Sequence, residues 1–215
     1  MDPGGRLLGA ITLDDAIDIV EEEQTEDILK FSGASANEDI GAGWRAAVRS
    51  RLPWLYVNLA TAFLAAAVVL YFQDTLQRLV ILSAWMPIVA GMGGNAGTQA
   101  LAVTVRRLAL GLVPPRQFFA VVSKEALVGL LNGLAIGVAV AAFALAAGKS
   151  PVFGLVVFLA MSGNLFVAGF AGGFIPILLE RFKVDPAVAS SIFVTTFTDM
   201  CGFFLLLGLA TRLLL

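Results

Sequence analysis

The chain has 215 residues, 59% of them hydrophobic and 14% charged, with a formal net charge of −2 and no histidine. That composition places it among helical membrane proteins. It excludes a histidine-based metal site or general base and argues against a three-ligand catalytic zinc site. With no basic patch, a nucleic-acid partner is not expected, and the single Cys201 rules out an internal disulfide. No nucleophile–base pair is present, so the chain is read as not an enzyme.

Residues 1–40 are soluble in composition, and no secretory leader is expected from the polar start Met1–Gly5. Leu8–Leu13 reads as a short strand. Residues 14–30 read as an acidic helix, with Thr12 or Asp14 as N-cap and Ala16, Ile17, Ile19 and Val20 giving a partial apolar face. Asp14, Asp15, Asp18, Glu21, Glu22, Glu23, Glu26 and Asp27 put eight acids and no base in residues 14–27. Two readings stay open: a solvated helix face, or a divalent-cation sensor whose carboxylates repel until a cation sits between them. Residues 32–43 form a Gly/Ala/Ser/Asn-rich linker. The expected division is therefore a cytosolic segment, 1–43, and a membrane domain, 44–215.

Five apolar segments follow, near residues 53–72, 79–108, 117–147, 152–179 and 187–215. Each is long enough for a hydrocarbon core that needs about 20 helical residues. The expected fold class is an all-α membrane protein with five transmembrane helices. Two glycine-rich stretches interrupt the pattern. Pro87 and then Gly91, Gly93, Gly94 and Gly97 predict a break in the second helix; Gly163, Gly169, Gly172, Gly173 and Pro176 predict one in the fourth. Basic residues near the helix ends set the orientation. Arg45, Arg49, Arg51, Arg106, Arg107, Arg116, Lys124, Arg181 and Lys183 fall on one side, and Arg78, Lys149 and Arg212 on the other. The N-terminus is expected in the cytoplasm and the C-terminus outside.

Asp199 is the only acid deep in the last apolar segment, and no base lies near it in sequence. A charge at the bilayer centre costs about 2.5–3.5 kcal/mol on insertion scales, so such a residue marks an ion pathway by default. On a 3.6-residue helix Ser191, Thr195, Thr198, Asp199 and Gly202 share a face, a stripe of small oxygen-bearing residues. Hard cations take oxygen ligands, and Mg2+ keeps several of its waters. Two copies of Asp199 across a twofold axis would supply two negative charges to such an ion. Around the predicted break, Asn95, Thr98 and Gln99 offer further oxygens, and freed backbone in a membrane is tolerated only where it is buried or lines a cavity. Asn164 is a weaker pore-lining candidate. The alternative for the first glycine stretch is close packing of small residues, and for the stretch in the fourth segment packing is the preferred reading. Lys124 and Glu125 read as an interfacial pair pointing in different directions. Asp185, before Pro186, has a sufficient role as a helix N-cap or first-turn acid.

These residues resemble the MgtE family of magnesium channels. The motifs are Pro87-x-x-x-Gly-Met-Gly-Gly-Asn-Ala-Gly-Thr-Gln, Lys124-Glu-Ala-Leu-Val-Gly, and Val184-Asp-Pro-Ala-x-Ala-Ser followed by Thr195-Thr-x-x-Asp199-x-x-Gly202. Gly9–Asp18 resembles the last strand and helix of a CBS domain, and Thr25–Ile28 fits the connecting plug helix. The resemblance implies a five-helix membrane domain forming a homodimeric pore in the cell (inner) membrane. It implies that Asp199 holds hydrated Mg2+ at the dimer axis, with Ser191 and Thr195 lining the same site. It further implies that Asp15, Asp18, Glu26 and Asp27, with Asp185 facing them, bind cytosolic Mg2+ and close the pore. The family's cytosolic N domain and most of its CBS pair lie outside this sequence, so altered gating is expected. Ser191-Ile192 stands where the family more often has Gly-Pro or Asn-Pro. The expected function is Mg2+ passage down its electrochemical gradient. The alternatives are a Na+- or H+-coupled divalent-cation carrier and a cation sensor without flux.

Overall fold

The computed structural model describes residues 12–20, 41, 43–113, 117–183 and 186–215, with side chains of 186–189 excepted. All regular structure among them is helical: α1 (13–20), α2 (Trp44–Tyr71), α3 (Gln73–Arg78), α4 (Leu82–Ala109), α5 (Phe118–Ala146), α6 (Pro151–Arg181) and α7 (Pro186–Leu213). The chain divides into two compact units, Met1–Trp54 and Leu55–Leu215.

In the first unit, a reciprocal cap begins α1. The Asp15 amide donates to Thr12 Oγ1 at 3.2 Å, while the Thr12 amide and hydroxyl donate to Asp15 Oδ2 at 2.8 and 2.6 Å. This is the capping-box arrangement, with Asp15 as the acid that reaches back to the cap residue. Thr12 is thus the cap, and Leu13 opens a helix instead of closing the expected strand; residues 8–11 lie outside the described residues.

The second unit is a bundle whose hub is α6. α2, α5, α6 and the Ser190–Leu213 part of α7 are long and apolar enough to cross a membrane. α4 has the same 28-residue length as α2, but Asn95, Gln99 and its glycines dilute its apolar character. Local signals set the helix ends. Ser150 Oγ accepts from the Phe153 amide at 3.2 Å and Pro151 occupies the first turn of α6. Gly111 and Gly148 take φ of 65° and 75°. There the amides of Leu112 and Lys149 reach back to the carbonyls of Arg107 and Ala144, the Schellman closure that needs glycine after the last helical residue.

Both expected breaks are absent. α4 runs through Gly91–Gly97, and α6 through Gly163–Gly173, as continuous helix. The glycines are where helices touch. A Cβ at Gly97 would lie 2.6 Å from Val194, and one at Gly172 2.7 Å from the Gly97 carbonyl. Along α5, Gly129, Gly133 and Gly137 recur every fourth residue and face α6. A Cβ at Gly129 or Gly169 would collide with the Leu165 or Glu125 carbonyl oxygen respectively, and one at Gly133 would lie 2.8 Å from the Ser162 carbonyl. Ser162 Oγ donates to the Gly133 carbonyl across this contact at 3.1 Å. Glycine at a helix interior costs up to about 1 kcal/mol in propensity in water. In lipid, small residues return this by letting backbones approach. By contrast, Gly91 and Gly94 have nothing within 4 Å of a built Cβ.

The contact pairs set the directions. Residues 129, 133 and 137 of α5 meet 165–169, 162–165 and 158–162 of α6, so these helices are antiparallel. Gly93 and Gly97 of α4 meet Asn164 and Ala168 of α6, so those two run parallel. α7 is antiparallel to both, since Gly97 meets Val194 and Thr198 while Asn164 meets Gly202. Apolar packing fills one end of the bundle with Leu82, Trp85, Val89, Val157, Met161 and Leu206, and Trp85 meets Phe153 edge-on at 5.4 Å. A smaller cluster of Val121, Val122 and Ile177 packs the other end, where Arg181 lies 5.0 Å over the Phe118 ring. Within α2 only Ala65 is buried.

Glycines with and without a facing helix therefore separate cleanly. Gly169→Ala should lower bundle stability by about 1–3 kcal/mol through overpacking. Gly94→Ala should stay within about 0.5 kcal/mol of the native chain. Unfolding in detergent micelles, followed by helical circular dichroism, measures both.

Candidate functional site

α7 carries the site. Its buried ridge is Val194, Thr198, Gly202, Leu206 and Ala210, four residues apart and turned toward α4 and α6. Asp199 is rotated about 100° from Thr198 on the helix and is only half-buried. Among the described residues no side chain forms an ion pair or hydrogen bond with its carboxylate, and none combine into a cluster of three metal-binding side chains. Thr195 is exposed one turn before it, and Ser191 is half-buried one turn earlier.

Three threonine hydroxyls on this helix donate to their own backbone. Thr195 Oγ1 donates to the Ser191 carbonyl at 2.8 Å, Thr196 Oγ1 to Ile192 at 2.7 Å and Thr198 Oγ1 to Thr195 at 2.9 Å. Turning their protons inward leaves their oxygens as acceptors, which suits a cation or its waters. Thr198 is fully buried and faces Gly97, and Gly202 is buried against Asn164. Of the five-residue stripe, then, Ser191, Thr195 and Asp199 reach the protomer surface.

On α4, Asn95 and Thr98 are exposed, with Thr98 Oγ1 donating to the Gly94 carbonyl at 2.9 Å. The α4–α7 contacts put Asp199 at the level of residues 93–97, so these exposed polar groups share its depth in the bundle. Asn164 is fully buried. Its Nδ2 donates to the Val89 carbonyl at 2.9 Å, while Oδ1 has no hydrogen-bond partner. It is a joint between helices of the chain.

A second acid in the bundle, Glu125, is handled differently. Glu125 is 5% exposed; its Oε1 lies 3.7 Å from Arg107 and 3.6 Å from Lys124. Its stem packs against Gly173. Lys124 and Glu125 thus converge instead of diverging, because the long lysine side chain bends back while its neighbour is drawn under α6. Arg107 comes from α4 across the connection to α5, a pairing that sequence order does not announce.

Asp15 and Asp18 lie in α1, exposed. The Thr12 hydroxyl and amide hold the Asp15 carboxyl below the usual carboxylate range. Any cation at Asp15 must compete with those two donors. Glu26, Asp27 and Asp185 lie outside the described residues.

Two outcomes follow from these ionised groups. Because folding depresses the Asp15 carboxyl, its contribution is present above the ordinary value of about 4 and lost as pH falls through the folded value. Thr12→Ala should therefore move the Asp15 titration upward and weaken α1, as read by a carboxyl-carbon NMR titration. Arg107→Ala leaves a buried carboxylate with one partly solvated partner and should cost about 1–3 kcal/mol. Lys124→Ala removes an exposed partner and should cost under about 1 kcal/mol; detergent unfolding ranks the two.

The family model described as "MgtE: Divalent cation transporter" matches residues 86–209, which include α4–α6 from Met86 onward and nearly all of α7. The chain is 34% identical over 207 residues to the magnesium transporter MgtE of Bacillus subtilis, covering 95% of this chain and 46% of that protein. It is 32% identical over 205 residues to that of Enterococcus faecalis, covering 95% and 45%. Against that of Thermus thermophilus it is 33% identical over 221 residues, covering 100% and 48%. The chain spans about half the length of the curated relatives it matches. With the family model covering more than half of its length, the chain belongs to the MgtE family of divalent cation transporters.

Proposed function

We propose that this chain is the membrane-spanning part of a Mg2+ transporter that passes the ion down its electrochemical gradient. The observation that carries the reading is Asp199: a half-buried carboxylate on a spanning helix, with no counter-charge among the described residues, an accepting hydroxyl at Thr195 and a further hydroxyl at Ser191. A permanently unpaired acid at that depth is costly, and a cation that visits it removes the cost. The names of the relatives, magnesium transporters, supply the ion.

In this reading α4 crosses the membrane with α2, α5, α6 and α7, and two copies of the chain pair so that both Asp199 carboxylates face one path. The ion keeps its waters, and Thr195, Ser191, Asn95 and Thr98 accept hydrogen bonds from them. Binding through water is firm enough for entry and loose enough for exit. The excess of Arg and Lys on one side sets the N-terminus in the cytoplasm. The carboxylates of Asp15, Asp18, Glu26, Asp27 and Asp185 form the cytosolic Mg2+ sensor, closing the path when the ion is abundant by binding the closed state better.

Proteoliposome flux under an imposed potential tests this. Asp199→Asn should reduce Mg2+ flux by about tenfold or more, with native flux following potential and ignoring pH. Flux that persists in Asp199→Asn removes Asp199 from the path, and flux requiring a Na+ or proton gradient overturns passive passage in favour of a coupled carrier.

A further inference from the structure

Asp199 is held in place from the side away from its carboxylate. Thr198, next to it, is fully buried against Gly97 of α4, and Gly202, one turn on, is buried against Asn164 of α6. These two contacts bracket Asp199 and fix both the height and the rotation of α7 there. The second contact is the unusual one. Asn164 is fully buried, and its Nδ2 is the nearest atom to a Cβ built on Gly93 and also to one built on Gly202, 2.7 Å away in the latter case. The same nitrogen donates to the Val89 carbonyl at 2.9 Å. One amide therefore touches bare backbone on α4 and α7 together and ties α6 to α4 by a hydrogen bond.

Cohesion alone does not account for this residue. Asn164 Oδ1 is buried without a hydrogen-bond partner, and a buried acceptor left unmade is a net cost that an apolar side chain of the same volume avoids. What an apolar side chain would not supply is a directional bond that sets the seat on which Gly202 rests. We propose that Asn164 is a positioning residue: its amide, wedged between Gly93 and Gly202 and bonded to Val89, sets where α7 holds the Asp199 carboxylate. This rests on the reading of Asp199 as a group on the ion path. A hydrated ion is recognised through hydrogen bonds whose heavy-atom distances span only a few tenths of an ångström. A displacement of α7 by part of a methyl radius then changes which ion is held well.

The test uses the full chain in proteoliposomes, with Mg2+ and Ca2+ supplied separately and flux normalised to folded, inserted protein. Gly202→Ala pushes α7 off the Asn164 amide. It should raise the half-saturating Mg2+ concentration by about tenfold, or shrink the Mg2+-over-Ca2+ preference by that factor, a change of the kind that about 1.4 kcal/mol produces. Asn164→Ala should shift the same quantities, and Asn164→Ser, which keeps a donor, should shift them less. The Asn164→Ala/Gly202→Ala double variant, where the new methyl takes the vacated space, should shift them by less than the sum. If Gly202→Ala does not insert, the two Asn164 variants, which remove volume, carry the same readout. Half-saturation and ion preference that stay native in the Asn164 variants, with only yield or thermal midpoint lowered, overturn the proposal. Asp199→Asn runs beside them. Undiminished flux there overturns the ion-path reading, and the positioning role with it. Flux lost in Asp199→Asn but kept unchanged in the Asn164 variants overturns the positioning role alone.

Discussion

The contact on which the bundle depends is backbone against backbone, through glycine. In hydrocarbon, leucine gains little by leaving lipid for another helix, so association rests on close van der Waals contact and on interhelical hydrogen bonds. α6 achieves this on three sides. Gly169 meets α5 at Glu125 and Gly129, Gly172 meets α4 at Gly97, and Asn164 meets both Gly93 and Gly202. The Ser162–Gly133 hydrogen bond and the Asn164–Val89 hydrogen bond cross these same contacts. A charged group in such a bundle is either paired with opposite charge or turned to the surface.

Glu125 and Asp199 show the two solutions. Glu125 is sunk beneath Gly173 with two cationic partners near one oxygen. Its charge is balanced within the protomer, and its effect is to fasten the start of α5 to the end of α4. Asp199 lies on the edge of the packed ridge of α7, where the closeness of Thr198 and Gly202 to their neighbours forces the next position outward. Nothing described within the protomer balances it. The first arrangement is what a structural acid needs, and the second is what a passing cation needs.

The five apolar segments were legible because length and composition decide them: each matches a long helix within a few residues, apart from the early start of α2. Asp199 stood out because a lone acid in an apolar run has few explanations. Packing was one of the readings open for the glycines, but which of them face a helix was not legible. Gly93 and Gly94 are adjacent, yet one faces Asn164, two helices later in the sequence, and the other faces open space. Only the fold makes that distinction. The helix continues through both because in lipid every freed carbonyl lacks a substitute partner. The spacing of Gly129, Gly133 and Gly137 was a readable sign of a packing face. The pairing of Arg107 with Glu125 had no local sign, since it joins two helices whose ends meet only in three dimensions. Thr12 was readable as one of two cap candidates, and Leu13 after it opens α1.

The inward turn of the hydroxyl protons on α7 gives the last step. A transporter of anions would aim donors at its path; here Thr195, Thr196 and Thr198 give their protons to carbonyls of their own helix. Thr195 then presents lone pairs beside a carboxylate, so the exposed part of the helix is an accepting surface. A water molecule in the shell of a divalent cation is a strong donor, and such a surface favours it twice, by charge and by hydrogen bonding. Yet among the described residues the chain offers one carboxylate at this depth, which balances half the charge of a divalent ion. On the proposed pairing, a second copy related by a twofold axis would supply the other half without any new residue, and an acid on the rim of the packed ridge, where Asp199 lies, would be free to face it.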